Sequence, residues 1–427
     1  LRFAGTSLPT APAGASGAGA RGKVRENGTV VLAEGVERDV GVDSPRAWVV
    51  VAAAFVSMFV VYGIVYSFGA FFDSMAEDFG TGKGATALMF SITTAWYFGL
   101  GLVSGKAADR FGPRPVLLTA AVALGLGLLL TSWVPSIWLG YLTYGIGVGI
   151  AVACAYVPMV ATVGAWFLHR RTTALGVAVA GIGVGTLVVA PISERLIDAH
   201  GWRTAYLVLG VSGALLLVLA SLGAWRPPLG ASDERVDLRR IVRDRGFVIL
   251  YSSSLLLSAA LFTPFVFIKS YATDRGIDDG PATALVGIIG ASSVLGRLGL
   301  GALGARLGAT RLMQLSFVVL ALSYLIWLTA GGSYARLVVY AVVMGVAYGG
   351  FIALAPAVTA GLFGTIGLGA ILGALYTAAG FGGLVGPPIV GTVIDDVSYT
   401  AGLVLAMLIS AASAAVLFML PGGHDRR

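Results

Sequence analysis

From about residue 47 to residue 420 the chain is a succession of long apolar runs separated by short polar stretches. Most runs reach the roughly 20 residues that a helix needs to cross a bilayer. Twelve can be distinguished, at about 47–72, 84–104, 115–133, 136–163, 172–192, 204–225, 246–270, 281–304, 311–330, 334–362, 367–393 and 400–420. The alternating pattern of a membrane strand is absent. Backbone groups in lipid must be satisfied within each segment, so the pattern predicts an all-α membrane protein with twelve transmembrane helices. The stretch 226–245 is the long polar interruption and divides the runs six and six. It predicts a cytoplasmic linker between an N-terminal six-helix bundle (46–225) and a C-terminal one (246–421). Its Leu238, Ile241 and Val242 are spaced for a short interfacial helix. Residues 1–45 have no helical apolar face and no signal-peptide pattern, and read as a disordered cytoplasmic tail. Residues 422–427 form a short cytoplasmic C-terminal tail.

The two halves resemble each other. Gly105-Lys-Ala-Ala-Asp109-Arg110-Phe-Gly112, after the second run, matches Gly301-Ala-Leu-Gly-Ala-Arg306-Leu-Gly308, after the eighth. Gly147 to Pro158 in the fourth run parallels Gly345 to Pro356 in the tenth. Two matches at nearly one offset point to a six-plus-six duplication, and such repeats place a substrate site between the halves near the membrane midplane.

Composition agrees. The chain is 57% apolar and only 11% charged, where soluble domains carry about a quarter charged residues. The 61 glycines suit close helix approach. The net charge of +7 does not point to nucleic acid, because of where the basic residues fall. Lys83, Arg195, Arg203, Lys269, Arg275 and Arg336 lie on one side of the bilayer, Arg297 lies within it, and all the others fall on the opposite side. That bias predicts both termini in the cytoplasm, and the plasma membrane is the expected location. One cysteine, Cys154, and three separated histidines leave no basis for a disulfide framework or a metal site. The glycine runs 145–149 and 181–185 lie inside membrane spans and follow no soluble strand, so they read as packing rather than nucleotide binding. No Walker motif, cofactor signature or catalytic constellation appears, and the chain is not read as an enzyme.

Arg297 is the exception to every placement rule. It sits just past the middle of an apolar, glycine-rich run, where an arginine costs about 3 kcal/mol or more and usually faces a cavity or a partner. The acidic residues all fall in tails, loops or helix ends, among them Asp73, Glu194, Asp274 and Asp395. A buried cation without a carboxylate invites an anion from solution. Bonding to backbone carbonyls is the alternative role for it.

The loop Gly105, Asp109, Arg110, Gly112 and Arg114 resembles the signature of the major facilitator superfamily between its second and third helices. Glycine allows a tight turn there, and Asp109 can cap or pair with a facing helix to latch one state of a transport cycle. The second copy has Ala305 in place of the aspartate and keeps Arg306, which predicts a weaker latch. The stretch Trp166 to Gly185, with Arg170, Arg171, Gly181 and Gly185, resembles the fifth-helix signature of the monocarboxylate transporter family. Asp43 with Trp48, Gly201-Trp202-Arg203, and Gly386-Pro387-Pro388 with Gly391 and Asp395 support it. Arg170 and Arg171 read as topology and conformational residues, and the glycines as helix packing.

In that family and the related oxalate/formate antiporters, an arginine of the eighth helix holds the substrate carboxylate, and Arg297 fits that position. Ser293 stands where some members carry an acid used in proton coupling. Tyr66 stands where some carry a first-helix lysine. The antiporters' second cation would fall near Ala379, beside Tyr376. One arginine suits one carboxylate. Tyr156 and Tyr348 are further cavity candidates, with helix packing an equal alternative. The resemblance implies a carrier of small monocarboxylates of the lactate or pyruvate type working by alternating access, with or without a co-transported proton. An oxalate/formate-type organic-anion exchanger and a non-transporting membrane sensor are the alternatives. The implied partners are a small organic anion and the lipid bilayer.

Overall fold

The computed structural model describes residues 43–167, 170–227, 238–364 and 368–420, and three short segments of the N-terminal tail. Those segments, Lys23–Val24, Thr29–Val31 and Glu37–Asp39, pair as a small antiparallel ribbon. Their register sets Val24 opposite Val30 and Val30 opposite Arg38. The rest of that tail, most of the linker and the last seven residues lie outside the described part.

Helices follow the apolar runs. They are α1 (Pro45–Phe79), α2 (Lys83–Phe111), α3 (Pro113–Thr131), α4 (Ile137–Trp166), α5 (residues 171–200), α6 (residues 202–223), α7 (Arg245–Thr273), α8 (Asp279–Leu307), α9 (Ala309–Leu328), α10 (Tyr334–Phe363), α11 (Leu368–Asp396) and α12 (Tyr399–Leu417). Among the described residues, eleven continuous stretches are long and apolar enough to cross a membrane. Twelve spans result because α5 and α6 run together through Gly201, whose φ of 77° turns the chain back without a loop. A 53-residue helix would be about 80 Å long if straight, far beyond a bilayer. The linker contributes one helical turn, Leu238–Ile241, matching the short helix expected there.

The first helix of each half is broken. In α1 the break is at Ser67, whose hydroxyl donates to the Ile64 carbonyl at 2.8 Å. In α7 it is at Phe262, two residues before Pro264. The two breaks are 195 residues apart, close to the spacing of the sequence repeat, and they face each other across the halves. The Tyr66 ring stacks on Phe265 at 4.3 Å, and a Cβ on Gly69 would lie 2.7 Å from the Phe265 carbonyl oxygen.

Small residues set the remaining crossings, as expected where lipid supplies no hydrophobic drive between helices. Gly181 and Gly185 of the fifth-helix signature lie on the backbone of Phe55 and Phe59 in α1. Gly296 sits against the Val346 carbonyl and Gly349 against the Ser293 carbonyl, so α8 and α10 touch backbone to backbone. Between the halves, Gly183 of α5 meets Gly290 of α8, and Gly380 of α11 meets Phe98 of α2. The first- and fifth-helix signatures also come together. The Asp43 N–H donates to the Trp166 carbonyl at 3.1 Å, and Trp48 packs edge-on against Phe167 at 5.3 Å.

Candidate functional site

The glycine contacts of α8 and α10 bring Arg297 and Tyr348 into the space between the halves. Arg297 is 9% exposed, and its Nη1 donates to the Val179 carbonyl of α5 at 3.0 Å. The backbone-carbonyl role is therefore real but partial. Nε and Nη2 are buried and have no hydrogen-bond partner. Among the described residues no carboxylate lies within ion-pair distance of the guanidinium. A buried donor left unpaired costs about 1–3 kcal/mol, more when charged. A buried donor left unpartnered in a native fold demands an explanation.

Tyrosines surround it. The guanidinium carbon lies 5.7 Å from the centre of the Tyr348 ring, within cation–π range. The hydroxyls of Tyr348 and Tyr66 bond at 3.0 Å, joining α10 to α1 across the halves. Tyr62 packs on Tyr66 at 5.5 Å, on Tyr156 at 5.5 Å and on Tyr97 at 6.1 Å. Arg297 is near enough to Tyr62 and Tyr156 to interact electrostatically with both. Tyr66, Tyr156 and Tyr348 are thus gathered around Arg297 as named from the sequence.

Tyr62 and Tyr97 join them unannounced. Tyr62 could have been found, since it stands one helical turn before Tyr66 and shares its face. Tyr97 lies in the run Trp96-Tyr97-Phe98, whose apolar bulk hides the hydroxyl's use. Tyr376 stands at the edge of the group, against Phe98 at 6.2 Å rather than against the arginine. Ser293 lies one turn before Arg297 but points its hydroxyl back to the Gly290 carbonyl at 2.7 Å, leaving only its lone pairs for a ligand.

The loop residues are apart from this centre. Asp109, Arg110, Arg114, Arg170, Arg171 and Arg306 are exposed at the face where α1 starts. Gly112 turns the chain at φ 92°, and the Arg110 carbonyl accepts from Arg226 at 3.1 Å, a contact within one half. The opposite face differs. Lys269 and Glu194, which the charge census placed at helix ends, are both buried there and ion-paired at 2.8 Å. Ser270 donates to Asp73 at 2.6 Å, and Phe72 packs on Phe267 at 5.3 Å.

Two six-helix halves of long apolar helices packed around a buried cation give the architecture of a multi-pass membrane transporter. Residues 54–335 match the profile of the Major Facilitator Superfamily. Rat monocarboxylate transporter 3 is 31% identical over 372 residues, covering 83% of this chain and 75% of that protein. Rat monocarboxylate transporter 13 is 29% identical, covering 89% and 90%. Mouse monocarboxylate transporter 4 is 30% identical, covering 86% and 81%. A solved bacterial homolog of the human lysosomal transporter Spinster, in an inward-facing and occupied conformation, shares the fold with a TM-score of 0.72 at 15% identity, covering 88% of this chain and 97% of its own. The chain belongs to the monocarboxylate transporter family of the major facilitator superfamily.

Proposed function

We propose that the protein is a secondary carrier for small monocarboxylates of the lactate or pyruvate type, sitting in the plasma membrane with both termini in the cytoplasm. The observation that carries this reading is the Arg297 guanidinium, with two buried, unpartnered donor nitrogens and, among the described residues, no carboxylate within ion-pair distance. One carboxylate accepting from Nε and Nη2 satisfies both donors in the two-pronged geometry that arginine favours. Tyr348 and Tyr66 cover the bound anion on one side, Tyr156 and Tyr62 line the other, and Ser293 and Tyr376 act at the margin. The halves rock about this centre. Asp109, Arg110, Arg114, Arg170, Arg171 and Arg306 engage across the cytoplasmic face in the other state of the cycle.

Uptake of labelled lactate and pyruvate into proteoliposomes, with and without an inward proton gradient, tests the reading. Saturable uptake that disappears in Arg297→Ala supports it, and unchanged uptake by that variant overturns it. The serine at position 293, in place of an acid one turn before the arginine, favours a second reading, organic-anion exchange. In that case substrate inside the vesicles accelerates uptake and a proton gradient does not.

A further inference from the structure

Glu194 lies in the last turns of α5, with the whole residue 3% exposed. Both of its carboxylate oxygens are held by the other half of the molecule. Oε1 accepts from Lys269 Nζ of α7 at 2.8 Å, and Oε2 accepts from Thr283 Oγ1 of α8 at 2.6 Å. Lys269 is 5% exposed, lies 3.3 Å from Asp279 of α8, and donates to the Ala70 carbonyl of α1 at 3.4 Å. A single side chain of the N-terminal half therefore clasps two helices of the C-terminal half. Asp73 and Ser270 make a further cross-half contact beside it.

The clasp is asymmetric in what it leaves behind. If the halves part at this face, Lys269 keeps Asp279, which travels with it on the same half. Among the described residues Glu194 has no second cation, and its two donors both belong to the half that moves away. Breaking a buried pair costs most for the member left alone. The balance between the two states therefore hangs on this carboxylate.

We propose that Glu194 is a positioning residue of the transport cycle: its grip on Lys269 and Thr283 holds the face opposite the termini shut, and its release is the step that opens that face. The inference rests on the alternating-access reading above, though not on the identity of the substrate. Arg297 holds the cargo, while Glu194 sets which side of the membrane the carrier faces.

The test is a distance measurement on the full-length protein in lipid nanodiscs, with no substrate present. Spin labels go on His200→Cys and Gly280→Cys, two exposed positions at this face on opposite halves, with Cys154→Ser as background. The parent protein is expected to show a dominant short distance. Glu194→Gln is expected to raise the long-distance population about tenfold, the size of one lost charge-assisted hydrogen bond. Thr283→Val, which removes only the second donor and conserves shape, is expected to shift the population the same way by a smaller factor. Unchanged distributions in both variants overturn the clasp, as does a parent that is mostly open. A shifted distribution in a protein that carries no lactate sustains the clasp and overturns the substrate assignment, so the two failures are distinguishable.

Discussion

The guanidinium of Arg297 bonds one carbonyl through Nη1 and leaves two donors unused. Charge alone therefore does not describe its role; the fork does. Arg297→Lys keeps the charge and loses the fork, so substrate affinity is expected to fall roughly ten- to a hundredfold, the value of one lost charged hydrogen bond. Substrate-dependent thermal shift checks this without a flux assay. The Tyr66–Tyr348 hydroxyl bond gives a second expectation. Tyr66→Phe and Tyr348→Phe each remove the same bond, so the double variant should change transport no more than either single one, and a double-mutant cycle measures the coupling. At this scale the sequence showed Arg297 because a cation in an apolar run has no ordinary explanation. It hid Glu194 and Lys269, because a charge near a helix end has one. Only the packing of α1, α5, α7 and α8 reveals that those ends close on each other.

Among the helices, the apolar runs gave nearly every boundary to within a few residues, because the bilayer imposes both length and composition. The break at Ser67 was not visible, whereas Pro264 marks the one at Phe262. Ser67 is neither glycine nor proline, and its hydroxyl bonds back to its own helix. The bend at Gly201, by contrast, was marked by a glycine that supplies the positive φ. The crossing of α8 and α10 carries its own test. A methyl on Gly349 runs into the Ser293 carbonyl, whereas Gly361 of the same helix has open space around it. Gly349→Ala is expected to destabilise the detergent-solubilised protein by about 1–3 kcal/mol, while Gly361→Ala should be neutral or slightly stabilising. Thermal unfolding of the two variants side by side separates the steric effect from helix propensity.

For the molecule as a whole, the orientation proposed from the basic residues can be read with single cysteines. In the Cys154→Ser background, Arg336→Cys should react with a membrane-impermeant maleimide added outside intact cells, and Arg306→Cys only after the membrane is opened. The reverse pattern would invert the topology. On the proposed reading, the Arg297 cation near mid-depth also makes the carrier electrically asymmetric. Empty, the centre holds one uncompensated positive charge; loaded with a monovalent anion, it is neutral. An elementary charge crossing the full membrane potential changes energy by about 2.3 kcal/mol per 100 mV. An inside-negative voltage thus opposes the outward return of the empty carrier and leaves the loaded step untouched. Net import should slow as the membrane is polarised, while one-for-one exchange should not respond. Vesicles clamped with potassium and valinomycin would show a protein that rectifies in favour of export, with Arg297 acting as its voltage sensor.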